Sequence, residues 1–183
     1  MNTKGFSLIE TVLYLGLFSI LIPSFLLMTL GFVQKSDVID VRVRMEEKAG
    51  IIISELQNEL LQADSIDVTN STFGTSDSSL VYVNSLGSSI TIDRVEDAIQ
   101  FVDGEQQINR LQRQSLSGNE WMTDADMEVT VWNVDIVRDS AGTLTGLNFQ
   151  LIFHILNSDG SPFRDVEVSV DTTIHLQFQT TEL

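Results

Sequence analysis

The sequence predicts an α+β fold in which one long N-terminal helix packs on an antiparallel β-sheet. Three observations predict it: a nearly uncharged apolar run at residues 6–33, an apolar stripe at helical spacing at 34–63, and short apolar/polar alternations from residue 64 onward. A chain of 183 residues has room for one domain plus one appended element. We expect a leader at 1–5, a transmembrane half-helix at 6–33, its amphipathic continuation at 34–63 and an outer β-rich domain at 64–183.

The apolar run at residues 6–33 contains a single formal charge, at Glu10. As a helix it would be ~42 Å long, which exceeds the ~30 Å thickness of bilayer hydrocarbon. No small-residue cleavage site follows it, which argues against a cleavable secretory signal. Lys4 precedes the run and places the N-terminus in the cytoplasm, although Lys35 and Arg42 beyond the run reduce this bias. The run therefore predicts a single-pass membrane protein with an external domain.

Charge and cysteine content exclude several classes of function. The net charge of −16 arises beyond residue 50, where 21 acidic residues face five arginines. Such a domain repels nucleic acid and anionic lipid headgroups, so we expect no nucleic-acid contact. The chain has no cysteine, which excludes disulfides, thiol catalysis and cysteine zinc sites. We expect no cofactor.

The residues Gly5-Phe6-Ser7-Leu8-Ile9-Glu10 follow a short polar leader and enter the apolar run directly. This segment resembles the processing site of type IV prepilins and of the pseudopilins of type II secretion and competence systems. The resemblance implies the pilin fold, cleavage by prepilin peptidase after Gly5 and N-methylation of Phe6. Glycine leaves the backbone at the cleaved bond open to close approach, so a large residue at Gly5 should block processing.

An acidic residue inside a membrane span needs a reason, because it costs about 2.5 to 3.5 kcal/mol on insertion scales. Glu10 lies near the start of the run, where its side chain could extend into the headgroups. The resemblance implies another role, in which Glu10 pairs with the free amine of Phe6 on a neighbouring subunit. It implies a structural subunit, a minor pilin or pseudopilin, whose partners are other such subunits, prepilin peptidase and membrane lipid.

The long helix is expected to run from Phe6 to about Ala63. Gly16 and Pro23 weaken the helix within the span, which predicts a kink or a locally melted stretch there. An equally good interpretation is a kink without a function, which membrane helices tolerate. Beyond the membrane, one apolar stripe should pack on the outer domain: Val38, Val41, Met45, Ala49, Ile52, Leu56 and Leu60.

Strand patterns fill the outer domain. The clearest lie at residues 127–138, 147–155 and 166–178, and a slip of apolar parity between Val131 and Val134 predicts a bulge. Weaker strands are expected at residues 80–83, 90–92, 99–102 and 107–111, with a connecting loop at 70–79.

Evidence for chemistry in the outer domain is weak. Asp124, Asp126 and Glu128 are calcium candidates, but the glycine and terminal glutamate of an EF-hand loop are absent. His154 and His175 fall on polar strand faces, where solvated histidines are more common than metal ligands. No G-x-S-x-G motif occurs, so nothing supports an enzyme. The alternatives to a filament subunit are a surface adhesin or ligand-binding domain on the same anchor and, with less support, a membrane-anchored enzyme.

Overall fold

The computed structural model describes residues 8–101, 104–155 and 166–176, which form one helix and eight strands. The leader, Gly5 and Phe6 lie outside the described residues. The strands make two antiparallel sheets, with strand orders β1-β2-β3-β4-β5 and β6-β7-β8. The predicted α+β class, a long N-terminal helix packed with antiparallel sheet, is confirmed. The elements are α1 (Leu8–Leu61), β1 (Ala63–Ile66), β2 (Ser79–Asn84), β3 (Ser89–Phe101), β4 (Gly104–Ser115), β5 (Gly118–Trp121), β6 (Met127–Arg138), β7 (Leu144–Ile155) and β8 (Glu167–His175).

Helix α1 spans 54 residues and joins the core only through its second half. The predicted stripe is confirmed: its first two members are partly buried and the other five are buried, namely Met45, Ala49, Ile52, Leu56 and Leu60. Spacings of three and four residues place them on one helical face. The helix ends at Leu61, and Ala63, expected at its end, already belongs to β1. The stripe thus holds the outer domain on the helix.

The helical assignment of α1 continues through Gly16, Pro23 and Gly31. The structure therefore contains no melted stretch at these residues. Pro23 lacks the N–H that would bond to the carbonyl of Ser19, yet membrane helices tolerate such a loss when the backbone around it stays paired. Loosening of this region in an assembled filament stays a prediction.

The strands differ from expectation in their extent and partners. The weak strands expected at 90–92 and 99–102 are parts of one strand, β3, which pairs with β4 along its length. The sequence hid this continuity because much of this ribbon is exposed or half-buried on both faces, so the apolar alternation disappears. β1 and β5 were not expected, since each has only four residues. The apolar/polar alternation predicted one antiparallel sheet, whereas the structure has two, of five and three strands.

The bulge in β6 lies just before Val131 rather than after it. Val129 pairs with Phe153 and Val131 with Ile152, so Thr130 is the inserted residue. The insertion turns Trp132 into the core, where its ring centroid lies 5.7 Å from that of Phe149. The slip of apolar parity correctly predicted a bulge in this strand, but the predicted position of the bulge was wrong. A second shift separates Val137 from Arg138.

The edge of β6 is covered by the segment that precedes β2. The Trp132 N–H donates to the carbonyl of Ser76 at 3.1 Å, and the Ser78 N–H donates to the carbonyl of Trp132 at 2.9 Å. Gly74 N–H donates to the carbonyl of Val134 at 2.9 Å. These bonds connect the two sheets and protect one edge of the three-stranded sheet. Its other edge is β8.

The buried stripe of α1 predicts a large difference between neighbouring aliphatic residues. Leu56→Ala should lower the free energy of unfolding by about 2 to 5 kcal/mol, because Leu56 is fully buried. Ile51→Ala is the matched control, since Ile51 is 52% exposed and its loss should cost about 0.5 kcal/mol or less. Denaturant unfolding of the detergent-solubilised chain, followed by tryptophan fluorescence, measures both. Equal losses would contradict the packing described.

Candidate functional site

The first half of α1 is the part of the described chain that packs against nothing. Every residue from 8 to 30 is exposed, and contact with the core begins at Val38. This half is long and apolar enough to cross a membrane, and none of its most apolar 18-residue window is buried. An apolar surface of this length needs lipid or another protein to cover it.

Three hydroxyl groups in this half are satisfied by the helix itself. Ser19 Oγ donates to the carbonyl of Gly16 at 2.7 Å, Ser24 Oγ to that of Ile20 at 2.9 Å, and Thr29 Oγ1 to that of Phe25 at 2.9 Å. Hydrocarbon offers no hydrogen-bond partners, so such internal bonds remove much of the cost of placing these hydroxyls in lipid.

Glu10 lies in the first turn of α1, and its side chain is exposed. It forms no ion pair within the described residues. A carboxylate at this position is favoured by the partial positive charge of the helix N-terminus. The described first half of α1 therefore carries one charge, an exposed carboxylate near its start. Gly5 and Phe6 are the predicted processing residues, and both precede the described part.

The calcium candidates lie beside basic residues of α1. Asp124 pairs with Lys48 and Asp126 with Arg44, each at 2.9 Å, while Glu128 lies 3.9 Å from Nδ1 of His154. In residues 8–101, 104–155 and 166–176, no group of three or more His, Asp or Glu side chains could hold a metal ion. The two aspartates instead form ion pairs between the outer domain and the helix.

The two histidines are far apart in the sheet. His154 lies opposite Glu167, whereas His175 lies opposite Gly146 near the other end of the β7–β8 ladder. Because β7 and β8 are antiparallel, these positions are eight residues apart along β7. The pair therefore cannot share a metal ion.

A polar network fastens the C-terminal end of α1 to the five-stranded sheet. The buried Tyr82 hydroxyl donates to the Glu59 carboxylate, and Arg113 bonds to both Glu59 and Glu120. Burial raises the pKa of the Tyr82 hydroxyl, and Glu59 raises it further. Burial alone would lower the pKa of Arg113, but Glu120 and Glu59 outweigh it and hold this pKa above its ordinary value. Both groups keep their neutral-pH charge states.

Two neighbouring turns at this end of the domain expose leucines, and sequence reasoning missed both. Leu86, between β2 and β3, is 87% exposed, and Leu116, between β4 and β5, is 89% exposed. Between the turns lies an open cavity of about 570 Å³ whose lining includes Glu59, Arg113 and Glu120. We name Leu86 and Leu116 with their turns the leucine turns. The sequence does contain a signal for these turns, because each leucine stands alone among Ser, Asn or Gly residues that favour turns.

A second uncovered feature is a groove between α1 and the edge strand β8. It has a volume of about 430 Å³, and we name it the α1–β8 groove. Its lining includes Arg42, Glu46, Gly50 and Ile53 from the helix and residues 168–172 from the strand. An added Cβ at Gly50 would meet nothing within 4 Å. Sequence reasoning missed this site because it depends on which strand lies beside the helix.

Comparison of the chain with protein-family models, with curated proteins and with solved structures finds no match. The fold and the site define a class of protein in which an antiparallel β domain is fixed to the second half of a helix, and the first half of that helix is long and apolar enough to cross a membrane.

The Asp93 carboxyl in the outer domain has a raised pKa. Burial raises the pKa of Asp93 on β3 above its ordinary value of 3.8, and the nearby Asp77 carboxylate raises it further. Asp67 differs, because hydrogen bonds from Asn70 lower its pKa. Asp93 therefore destabilises the fold at neutral pH, where it must be ionised, whereas ionised Asp67 stabilises it.

These opposite shifts predict opposite pH dependences. Asp93→Asn should stabilise the domain at pH 7, and this gain should shrink as the pH falls through the raised pKa towards 3.8, because wild-type Asp93 then becomes neutral. Asp67→Asn should destabilise the domain at pH 7, and this loss should shrink only as the pH falls below 3.8 through the lowered pKa, where wild-type Asp67 is protonated. Denaturant unfolding of all three proteins from pH 7 to below pH 3.8 tests both signs. A destabilised Asp93→Asn variant at pH 7 would refute the burial argument.

Proposed function

We propose that this chain is a structural, non-catalytic subunit of a pilin-like filament, a minor pilin or pseudopilin of the type IV pilus, type II secretion or competence kind. It is inserted in the membrane by the first half of α1, cleaved by prepilin peptidase after Gly5 and methylated at Phe6. The observation that carries the proposal is that this half-helix is apolar and exposed throughout and bears one charge, at Glu10.

The exposed half-helix supports two successive environments. In the membrane, lipid covers all its faces, and in a filament the same faces pack against the helices of other subunits. Helix association in such surroundings depends on close packing and on polar contacts rather than on the hydrophobic effect. Because the second half of α1 is fixed to the outer domain by its buried stripe, movement of the helix carries the domain with it.

Cleavage after Gly5 provides a cation for Glu10. It creates a free amine at Phe6, and an unpaired amine and an unpaired carboxylate in a low-dielectric environment both gain by meeting. Desolvation offsets much of this attraction, so the pair contributes mainly to the direction and register of docking. Assembly is thereby coupled to processing, since an uncleaved chain has no amine at this position.

The charge of the outer domain agrees with an external location. The excess of acidic residues keeps the domain soluble once it is outside the membrane and gives no electrostatic footprint for nucleic acid. The partners of this function are other pilin or pseudopilin subunits, prepilin peptidase and lipid. The mature subunit is a single-pass membrane protein before assembly and part of a surface or periplasmic filament after it.

The role of Glu10 predicts an assembly defect without a processing defect. Glu10→Ala should be inserted and cleaved normally, but its incorporation into filaments should fall about tenfold or more, the equivalent of ~1.4 kcal/mol of lost docking free energy. Glu10→Asp keeps the charge and is the matched control, which should retain more assembly than Glu10→Ala. Immunoblots of the sheared filament and membrane fractions measure the distribution. Filament yield from Glu10→Ala equal to that of the wild type would refute the docking role.

A further inference from the structure

The cavity between the leucine turns lies where α1 stops covering the five-stranded sheet. The helix-facing side of this sheet carries buried core residues on three strands, namely Leu80, Ile92 and Leu111. By strand alternation, Tyr82, Ile90 and Arg113 lie on the same side, closer to the turns, and all three line the cavity. The last turn of α1 adds Glu59 to the lining, and the helix ends at Leu61. We name this space the leucine-turn cavity.

The rim of the leucine-turn cavity is apolar at two points. Leu86 and Leu116, both in its lining, are the most exposed large apolar side chains of the described outer domain. Neither is needed to form its turn, because Gly87 (φ 74°) and Gly118 (φ 133°) provide the backbone conformations that other residues adopt rarely. Two exposed leucines on either side of a cavity of about 570 Å³ therefore suit contact with the apolar part of a ligand.

The charges of the leucine-turn cavity leave one negative charge in excess. Three of its described lining residues are charged, and the guanidinium of Arg113 bonds to the carboxylates of both Glu59 and Glu120. The Tyr82 hydroxyl donates to Glu59 and is neutral, because burial raises its pKa. Glu120 is 67% exposed, and a carboxylate accepts more than one hydrogen bond. The cavity therefore offers a carboxylate to one further cation.

The leucine-turn cavity lies far from the membrane span. At 1.5 Å per residue, Glu59 is ~40 Å along the helix axis beyond Val33, where the apolar run ends. The acidic excess of the outer domain attracts positively charged molecules to this surface and repels negatively charged ones. The position and the charge thus favour a cationic ligand that comes from outside the membrane.

We propose that the leucine-turn cavity binds a basic peptide segment of a partner protein, in which one lysine or arginine is flanked by apolar side chains. The cationic group pairs with Glu120 at the edge of the network with Glu59 and Arg113. The hydrocarbon stem of that side chain and its apolar neighbours cover Leu86 and Leu116. The proposal goes beyond the filament function and does not depend on it, because every lining residue lies in the β domain or in the last part of α1.

A pair of short peptides tests the charge of the ligand. The full chain is reconstituted in phosphatidylcholine nanodiscs and titrated with acetyl-Leu-Lys-Leu-amide or with the neutral acetyl-Leu-Gln-Leu-amide, and binding is followed by ligand-observed NMR. The lysine peptide should bind about tenfold more tightly, which corresponds to ~1.4 kcal/mol. Empty nanodiscs provide the control for peptide that binds to lipid. Equal affinity for the two peptides would overturn the proposal.

Two variants with the same change of charge test the position of the site. Glu120→Gln should weaken binding of the lysine peptide about tenfold and leave that of the glutamine peptide unchanged. Glu105→Gln is the matched control, since Glu105 is exposed on β4, outside the cavity lining and ~27 Å along the strand from Arg113. It should bind the lysine peptide nearly as the wild type does. Equal affinities of the two variants for this peptide would show that only the overall charge matters and would refute the site.

The apolar rim is tested by the double variant Leu86→Ser, Leu116→Ser. It should weaken binding of both peptides, because it removes apolar contact and leaves the charges in place. Both leucines are exposed, so the variant should fold normally, and denaturant unfolding verifies this for each variant. Unchanged affinity of this folded variant would contradict the apolar contact.

The outcomes separate this inference from the proposed function. If the chain is cleaved and enters filaments but does not distinguish the two peptides, the peptide site is wrong and the filament function stands. If the chain distinguishes the peptides, and Glu120→Gln removes this difference, while the chain is neither cleaved nor assembled, the site stands and the filament function is wrong.

Discussion

The whole structure depends on one helix whose two halves have different surroundings. The second half of α1 buries an apolar stripe against the outer domain, while the first half offers apolar side chains on every face and packs against nothing described. These halves belong to one uninterrupted helix of 54 residues. Backbone hydrogen bonds make the helix continuous, so its exposed first half and the β domain are joined by one unbroken element.

The contacts around α1 have unequal energetic importance. The buried stripe supplies most of the attachment, whereas the exposed pairs of Lys48 with Asp124 and Arg44 with Asp126 each contribute about 1 kcal/mol or less. The partly buried network of Glu59, Tyr82 and Arg113 sets the position of the helix end against the five-stranded sheet. Hydrophobic burial thus holds the helix in place, and the polar contacts determine how it is oriented.

Sequence patterns predicted the features that depend on local periodicity. The stripe from Met45 to Leu60 and the strands β6 and β7 follow directly from spacings of 3.6 and 2 residues. Patterns failed where burial is incomplete or partners are distant. The β3–β4 ribbon, much of which is exposed or half-buried on both faces, has no clear alternation, and the α1–β8 groove depends on tertiary contacts that no local pattern records. Gly5, Phe6 and Glu10 were candidates through resemblance, and their proposed roles depend on molecules outside this chain.

In the proposed function the first half of α1 is a processed, polymerising anchor, and the chemistry at the N-terminus of the chain tests this most directly. Intact-mass and N-terminal peptide analysis of the chain, extracted from membranes that contain prepilin peptidase, should show loss of residues 1–5 and a methyl group on the amine of Phe6. The uncleaved chain should be recovered from membranes that lack the peptidase. Recovery of residues 1–5 on the membrane-embedded chain in both preparations would contradict the account.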